Sequence, residues 1–151
     1  MAAPNVKAGM ILTAQTLADF GREGTWTPAL TATTTNPTLG TGPTQVGDWL
    51  YKAGYYVVEF EIIFGTGPTA GSGNYRISTP FAIDAGWISH AVGTVRLFDS
   101  SGADPENRFL VVNDANNLRI EAQDGTQVTN AVPWTWAASD AIRGSFEMKA
   151  A

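Results

Sequence analysis

The sequence predicts an all-β domain, an antiparallel β-sandwich or jelly roll, on three observations. Short runs rich in β-branched and aromatic residues alternate apolar with polar at period two. Clusters of Gly, Pro, Asn and Asp punctuate these runs at regular intervals. No crossover helix and no internal repeat lies between them, which excludes a parallel βαβ sheet and a β-helix.

The elements follow in order. Residues 1–24 read as an N-terminal arm: an aperiodic stretch to Gly9, then a helical turn capped by Thr13 and stopped at Gly21. Leu17 and Phe20, three apart, share a face and Leu12 packs back on the same side; with Ile11 they are the expected anchoring residues. So short a helix is unstable alone and must pack on something. It docks either on its own domain or on a neighbouring subunit. Residues 25–151 read as the β head. Thr25–Thr34 alternates Trp26, Pro28, Leu30 and Ala32 with threonines, and Pro28 marks an edge strand or a bulge. Asn36–Thr44 reads as turn, and Trp49–Ala53 as a strand in a tight hairpin with Tyr55–Phe64 (YYVVEFEIIF).

Tyr55–Phe64 is the longest apolar run. Tyr56, Val58, Phe60, Ile62 and Phe64 form a dry face; Tyr55, Val57, Glu59, Glu61 and Ile63 form a mixed one. A glycine-rich loop follows, without the lysine of a phosphate-binding loop. Further strands are expected at Asn74–Ser78, Ala91–Asp99, Arg108–Asn113, Leu118–Ala122, Ala131–Ala137 and Ala141–Met148, with 81–90 an irregular crossing. Strands 49–53, 91–99 and 141–148 are expected to share the dry face of Tyr55–Phe64.

Composition narrows the function. Charged residues are 15% of the chain, below the ordinary share of about 25%. Such a neutral polar surface suits lectins, adhesins, virion shells and oligomers. The net charge is −5 and the nine Lys and Arg are scattered, so no nucleic-acid partner is expected. The chain has no cysteine, hence no disulfide framework and no thiolate metal site. The first residues lack the pattern of a signal peptide, and no apolar run reaches the ~18 residues of a membrane span.

Candidate chemistry is sparse. His90 is the sole histidine and no G-x-S-x-G accompanies it, so a serine triad and a zinc site are both disfavoured. Glu59 and Glu61 lie about 7 Å apart at i, i+2 spacing. They read less as a glycosidase pair than as part of a wetter face, paired with Lys52, Arg96 or Arg119, or as part of a subunit contact. The loop 99–107 (DSSGADPEN) is rich in oxygen ligands but lacks the spacing of an EF-hand. No enzyme, metal or cofactor is therefore expected. Trp134 and Trp136, adjacent on one expected strand face, are the candidates for stacking on a glycan; core or interface is the competing reading.

Several segments together carry a resemblance: GTWTPALT (24–31), NPTLG (36–40), GDWLYKAGYYVVEFEIIFG (47–65), GSGNYRISTP (71–80) and VPWTWAASDAI (132–142). They resemble a family of small virion surface domains of tailed bacteriophages, especially those of actinobacteria. Related domains look like the heads of minor tail proteins, fibres and head decorations. The leader AGMILTAQTL (8–17) resembles the segment that often precedes such heads. The resemblance implies a jelly-roll-like sandwich that trimerises like C1q/TNF heads. It also implies a place on the virion surface after assembly in the host cytoplasm. The partners it implies are other copies of the chain, major capsid or tail proteins and, for a tail-tip protein, a host cell-surface glycan. It carries over no active-site residue. The expected function is a trimeric capsid decoration or head-fibre protein anchored by its arm; the alternative is a minor tail or tail-tip protein with a carbohydrate-binding head. Tyr55, Val57, Glu59 and Glu61 are the expected interface residues of the head.

Overall fold

The computed structural model describes residues 21–52, 54–102 and 104–149. The helical turn and its residues Ile11, Leu12, Leu17 and Phe20 lie outside the described residues. Nine strands form: β1 (Arg22–Trp26), β2 (Leu30–Ala32), β3 (Thr44–Lys52), β4 (Tyr55–Ile63), β5 (Tyr75–Ser78), β6 (Ala91–Phe98), β7 (Glu106–Asp114), β8 (Asn117–Glu121) and β9 (Ala141–Lys149). All pair antiparallel in one curled sheet of order β1-β3-β4-β9-β6-β7-β8-β5-β2. The all-β, antiparallel prediction holds.

The pairs are nested: β4 with β9, β5 with β8, β6 with β7. One long hairpin bends the sheet. β3 and β4 pair from Lys52↔Tyr55 to Thr44↔Ile63. The same register then continues through single bridges at Thr41↔Thr66, Thr38↔Thr69 and Thr35↔Ser72, and ends in the β2–β5 pair. Every third residue is bridged, and each gap between bridges holds at least one glycine or proline. Gly40 shows why: it has φ 81°, and a Cβ there would lie 2.5 Å from the Thr66 carbonyl oxygen. The segments read from sequence as turn and glycine loop are thus an irregular ladder. It carries the chain from one end of the sheet to the other.

Side chains on the concave face make the core. β4 contributes Val58, Phe60 and Ile62; β9 contributes Ile142, Phe146 and Met148; β6 contributes Val95 and Leu97. Leu110, Val112, Leu118, Ile120, Tyr75, Ile77 and Leu30 extend it from β7, β8, β5 and β2, and Phe64, Ile83, Val128 and Trp136 join it from the connections. The dry face of Tyr55–Phe64 and its expected neighbours are therefore as predicted. In-strand glycines on this face sit opposite aromatics: Gly24 opposite Trp49, Gly47 opposite Trp26, Gly144 opposite Phe60 and Gly93 opposite Phe146. A Cβ on Gly47 would lie 2.3 Å from the Trp26 indole, and one on Gly24 2.6 Å from that of Trp49. A curled interior has no room for two large partners, so each ring lies over a bare neighbouring backbone.

Two expectations on strands are corrected. Thr25–Thr34 is not one strand. It breaks at Pro28 into β1 and β2, because the ring nitrogen has no proton to donate, and the Pro28 carbonyl accepts from Gln45 Nε2 (2.7 Å) instead. Residues 131–137 form no strand. Their polar groups bond locally: Thr129 N–H to the Val132 carbonyl, Trp136 Nε1–H to the Thr129 carbonyl, Ala137 N–H to Asp140 Oδ2. Asp140, fully buried, also accepts from the Ser100 N–H (2.8 Å) and hydroxyl (2.9 Å). It therefore ties the β6–β7 loop to the entry of β9. In the irregular crossing, Asp84 caps a single 3₁₀ turn (Ala85–Trp87) by accepting from the Gly86 N–H.

Candidate functional site

The convex face of β3, β4, β9, β6 and β7 is built from the residues that alternate with the core. From β3 come Val46, Asp48 and Leu50; from β4, Tyr55, Val57, Glu59 and Glu61; from β9, Arg143, Ser145 and Glu147. β6 adds Thr94 and Arg96, and β7 adds Asn107 and Phe109. Small side chains on Thr94 and Ser145 leave a shallow trough of about 460 Å³ between Glu59, Glu61 and Arg143 on one side and Arg96 and Asn107 on the other.

This face is apolar where a solvent face is not. Val46 is 52% exposed, Leu50 41%, Val57 42%, Phe109 42% and Tyr55 37%. Five of the six large exposed hydrophobic residues among the described ones lie here; the sixth, Ile88, belongs to the crossing loop. A single exposed apolar residue needs no explanation; several on one sheet face make that face a candidate contact surface.

Its charges are arranged unusually. Asp48 and Glu59 are direct cross-strand partners, as are Arg96 and Arg143. Like charges placed directly opposite repel. One acid is paired within the chain: Glu61 with Arg143 Nε. The Arg96 and Arg143 guanidiniums both lie over the Phe98 ring, at 5.0 and 4.8 Å. Among the described residues, Asp48 and Glu59 form no ion pair.

The structure brings the four head residues expected at an interface, Tyr55, Val57, Glu59 and Glu61, onto this one face. Their expected ionic partners are corrected. Glu61 pairs with Arg143 rather than with Lys52 or Arg96, and Arg119 pairs with Glu121 on β8. Val46, Asp48, Leu50, Arg143 and Phe109 were missed. Extending the period-two pattern of β3 back to Thr44 finds the first three, since Val46, Asp48 and Leu50 alternate with Gly47 and Trp49.

The tryptophan pair divides. Trp136 is core: 4% exposed, stacked on Phe64 at 5.3 Å, its Nε1–H bound to the Thr129 carbonyl at 2.9 Å. It offers no free ring face to a sugar. Trp134 packs at 5.6 Å from it and is half-buried, with no hydrogen-bond partner for its Nε1. His90 is exposed at the end of the crossing, edge-on to Trp87 at 5.6 Å. In the loop 99–107, the Asp99 carboxylate is occupied with the Ser101 N–H (2.7 Å) and Glu106 pairs with Arg108.

Comparison with family models, with curated proteins and with solved structures gives no match.

Proposed function

We propose that the chain is a structural protein of a tailed-bacteriophage particle, displayed on the virion surface as a homotrimer after assembly in the host cytoplasm. It is a capsid decoration or head-fibre protein. Residues 1–20 attach it to the major capsid protein, and the β head projects outward. The finer fold belongs to the same proposal: a jelly-roll-like sandwich of the C1q/TNF kind. The nested pairing of β4 with β9, β5 with β8 and β6 with β7 supports it, because a jelly roll is a long hairpin wrapped on itself. The mixed convex face carries the assembly part of this reading. The resemblance of the turn-forming motifs carries the virion part.

Mapping the protein on particles by electron microscopy tests the proposal. Density in threes on the capsid is expected. Density on the tail alone would move the protein to the minor tail or tail-tip class, and absence from both would overturn the virion reading. Deleting residues 1–20 leaves β1 whole, so the head is expected to stay folded and lose attachment. A truncated protein that still decorates particles would remove the anchor from the scheme.

A further inference from the structure

The convex face has two halves that differ in charge. On β3 and β4 stand Asp48, Glu59 and Glu61 with one cation, Lys52; on β9 and β6 stand Arg143, Arg96 and Lys149 with one acid, Glu147. Within one subunit this arrangement is poorly resolved. Asp48 faces Glu59, Arg96 faces Arg143, and among the described residues the one ion pair on this face is Glu61 with Arg143. Each half carries an excess of the charge that the other is short of.

We infer that this face binds a second copy of the chain head to tail, the acidic β3–β4 half of one subunit lying on the Arg96 side of the next, with Glu59 opposite Arg96. The inference rests on the homotrimer reading and specifies its interface. A self-partner fits better than a foreign one. Both signs of charge stand side by side on one surface, so a partner of single sign gains on one half and loses on the other. The exposed Val46, Leu50, Val57 and Phe109 lie around these charges and supply apolar area to bury. Five strands of up to nine residues cover roughly 24 by 30 Å, or about 700 Å². Shared between the two neighbours of a ring, that leaves about 350 Å² for each contact, less than half of the ~800 Å² per partner of a standard stable interface, so each contact is weak alone and ring closure must reinforce it. A contact joining two different patches is heterologous, and rotation closes it into a ring. In that ring Glu61 and Arg143 are already satisfied and flank the seam between the halves.

The test uses the full chain with Glu59→Arg, Arg96→Glu and the double variant, by sedimentation equilibrium in 50 mM salt. Thermal melts check that each variant is folded. Each single variant is expected to weaken association at least tenfold, and the double variant to return within about threefold of the unchanged protein. Mixing the two single variants restores two of the three contacts in a ring of three, so the mixture is expected to associate more strongly than either variant alone and less strongly than the double variant. Should a reversal fail to fold, Glu59→Gln and Arg96→Gln serve instead; each is expected to weaken association and flatten its dependence on salt. An unchanged protein that is monomeric at 100 μM overturns both the inference and the homotrimer. Oligomers that ignore the reversals, or a double variant no better than its parents, overturn the charge pairing and leave the homotrimer standing.

Discussion

The outer side of β8 and β5 and the outer side of β4, β9 and β6 begin from the same difficulty and end differently. Both carry two arginines as direct cross-strand partners: Arg76 with Arg119, and Arg96 with Arg143. On β8 and β5 the conflict is resolved inside the subunit. Arg119 pairs with Glu121 at 2.7 Å, and Arg76 donates to Gln127 Oε1 and to its neighbour's carbonyl, both at 3.0 Å. Burial, reinforced by the Arg119 charge, lowers the Arg76 pKa from its ordinary value. On the other side Arg96 has a ring beneath it but no carboxylate, while Asp48 and Glu59 face each other. The first surface is satisfied within one chain and the second is less so, which is why the proposed assembly contact falls on the second.

The largest effect expected within a single subunit separates these two surfaces directly. Arg119→Ala leaves Glu121 largely shielded and without its partner, so denaturant unfolding should show a loss of about 1–2 kcal/mol. Arg143→Ala removes a more exposed pair and should cost less than about 0.5 kcal/mol in the isolated subunit. Equal losses would erase the distinction.

Tyr75 sharpens the same contrast from beneath the β5 surface. It is fully buried, its hydroxyl donates to the Ala70 carbonyl at 2.7 Å, and burial pushes its pKa up from 10.0 to about 12. The folded state therefore holds the proton more tightly than the unfolded one. Stability from this group is intact below pH 10 and is lost as the pH rises toward 12. Tyr75→Phe should cost about 1 kcal/mol at neutral pH for the lost hydrogen bond, and should reduce the alkaline decline of the melting temperature.

Asp114, in the β7–β8 turn, behaves oppositely. Burial alone would raise its carboxyl pKa. Hydrogen bonds from the Asn116 N–H and from the Asn113 and Asn117 side chains outweigh this and hold it below the ordinary value. Its stabilisation is present above the unfolded carboxylate pKa of about 3.9 and disappears as the pH falls through the lower folded value. Melts of Asp114→Asn should therefore show a shallower acid decline than the unchanged protein, and an identical slope would refute this.

The smallest effect is a gain. Glu59→Gln relieves the Asp48–Glu59 repulsion and should stabilise the isolated subunit by a few tenths of a kcal/mol, less at high salt. The same change should weaken association. Opposite signs for folding and assembly are the signature of a surface shaped for a partner.

Much of the fold was legible because period two is a local property. The two faces of Tyr55–Phe64, the inward set Ile142, Gly144, Phe146 and Met148, and the turn at 114–117 all follow from alternation and turn residues alone. Where alternation misled, local bonding had displaced it. AVPWTWA alternates, yet its polar groups are taken up by Thr129 and Asp140, and Trp136 turns into the core. Part of the proposed interface was also legible, because Val57 beside Glu59 and Glu61 suits neither core nor solvent.

The sequence by itself determined that the chain is antiparallel β, that β4 has one dry and one mixed face, and that no cysteine chemistry is available. The tertiary structure alone decided that the glycine- and threonine-rich segments form a ladder continuing β3–β4 into β2–β5. It also decided that Asp48 meets Glu59 and that Arg96 meets Arg143. Alternation places a residue on a face, but its neighbours on that face come from strands distant in sequence, and only the pairing register brings them together.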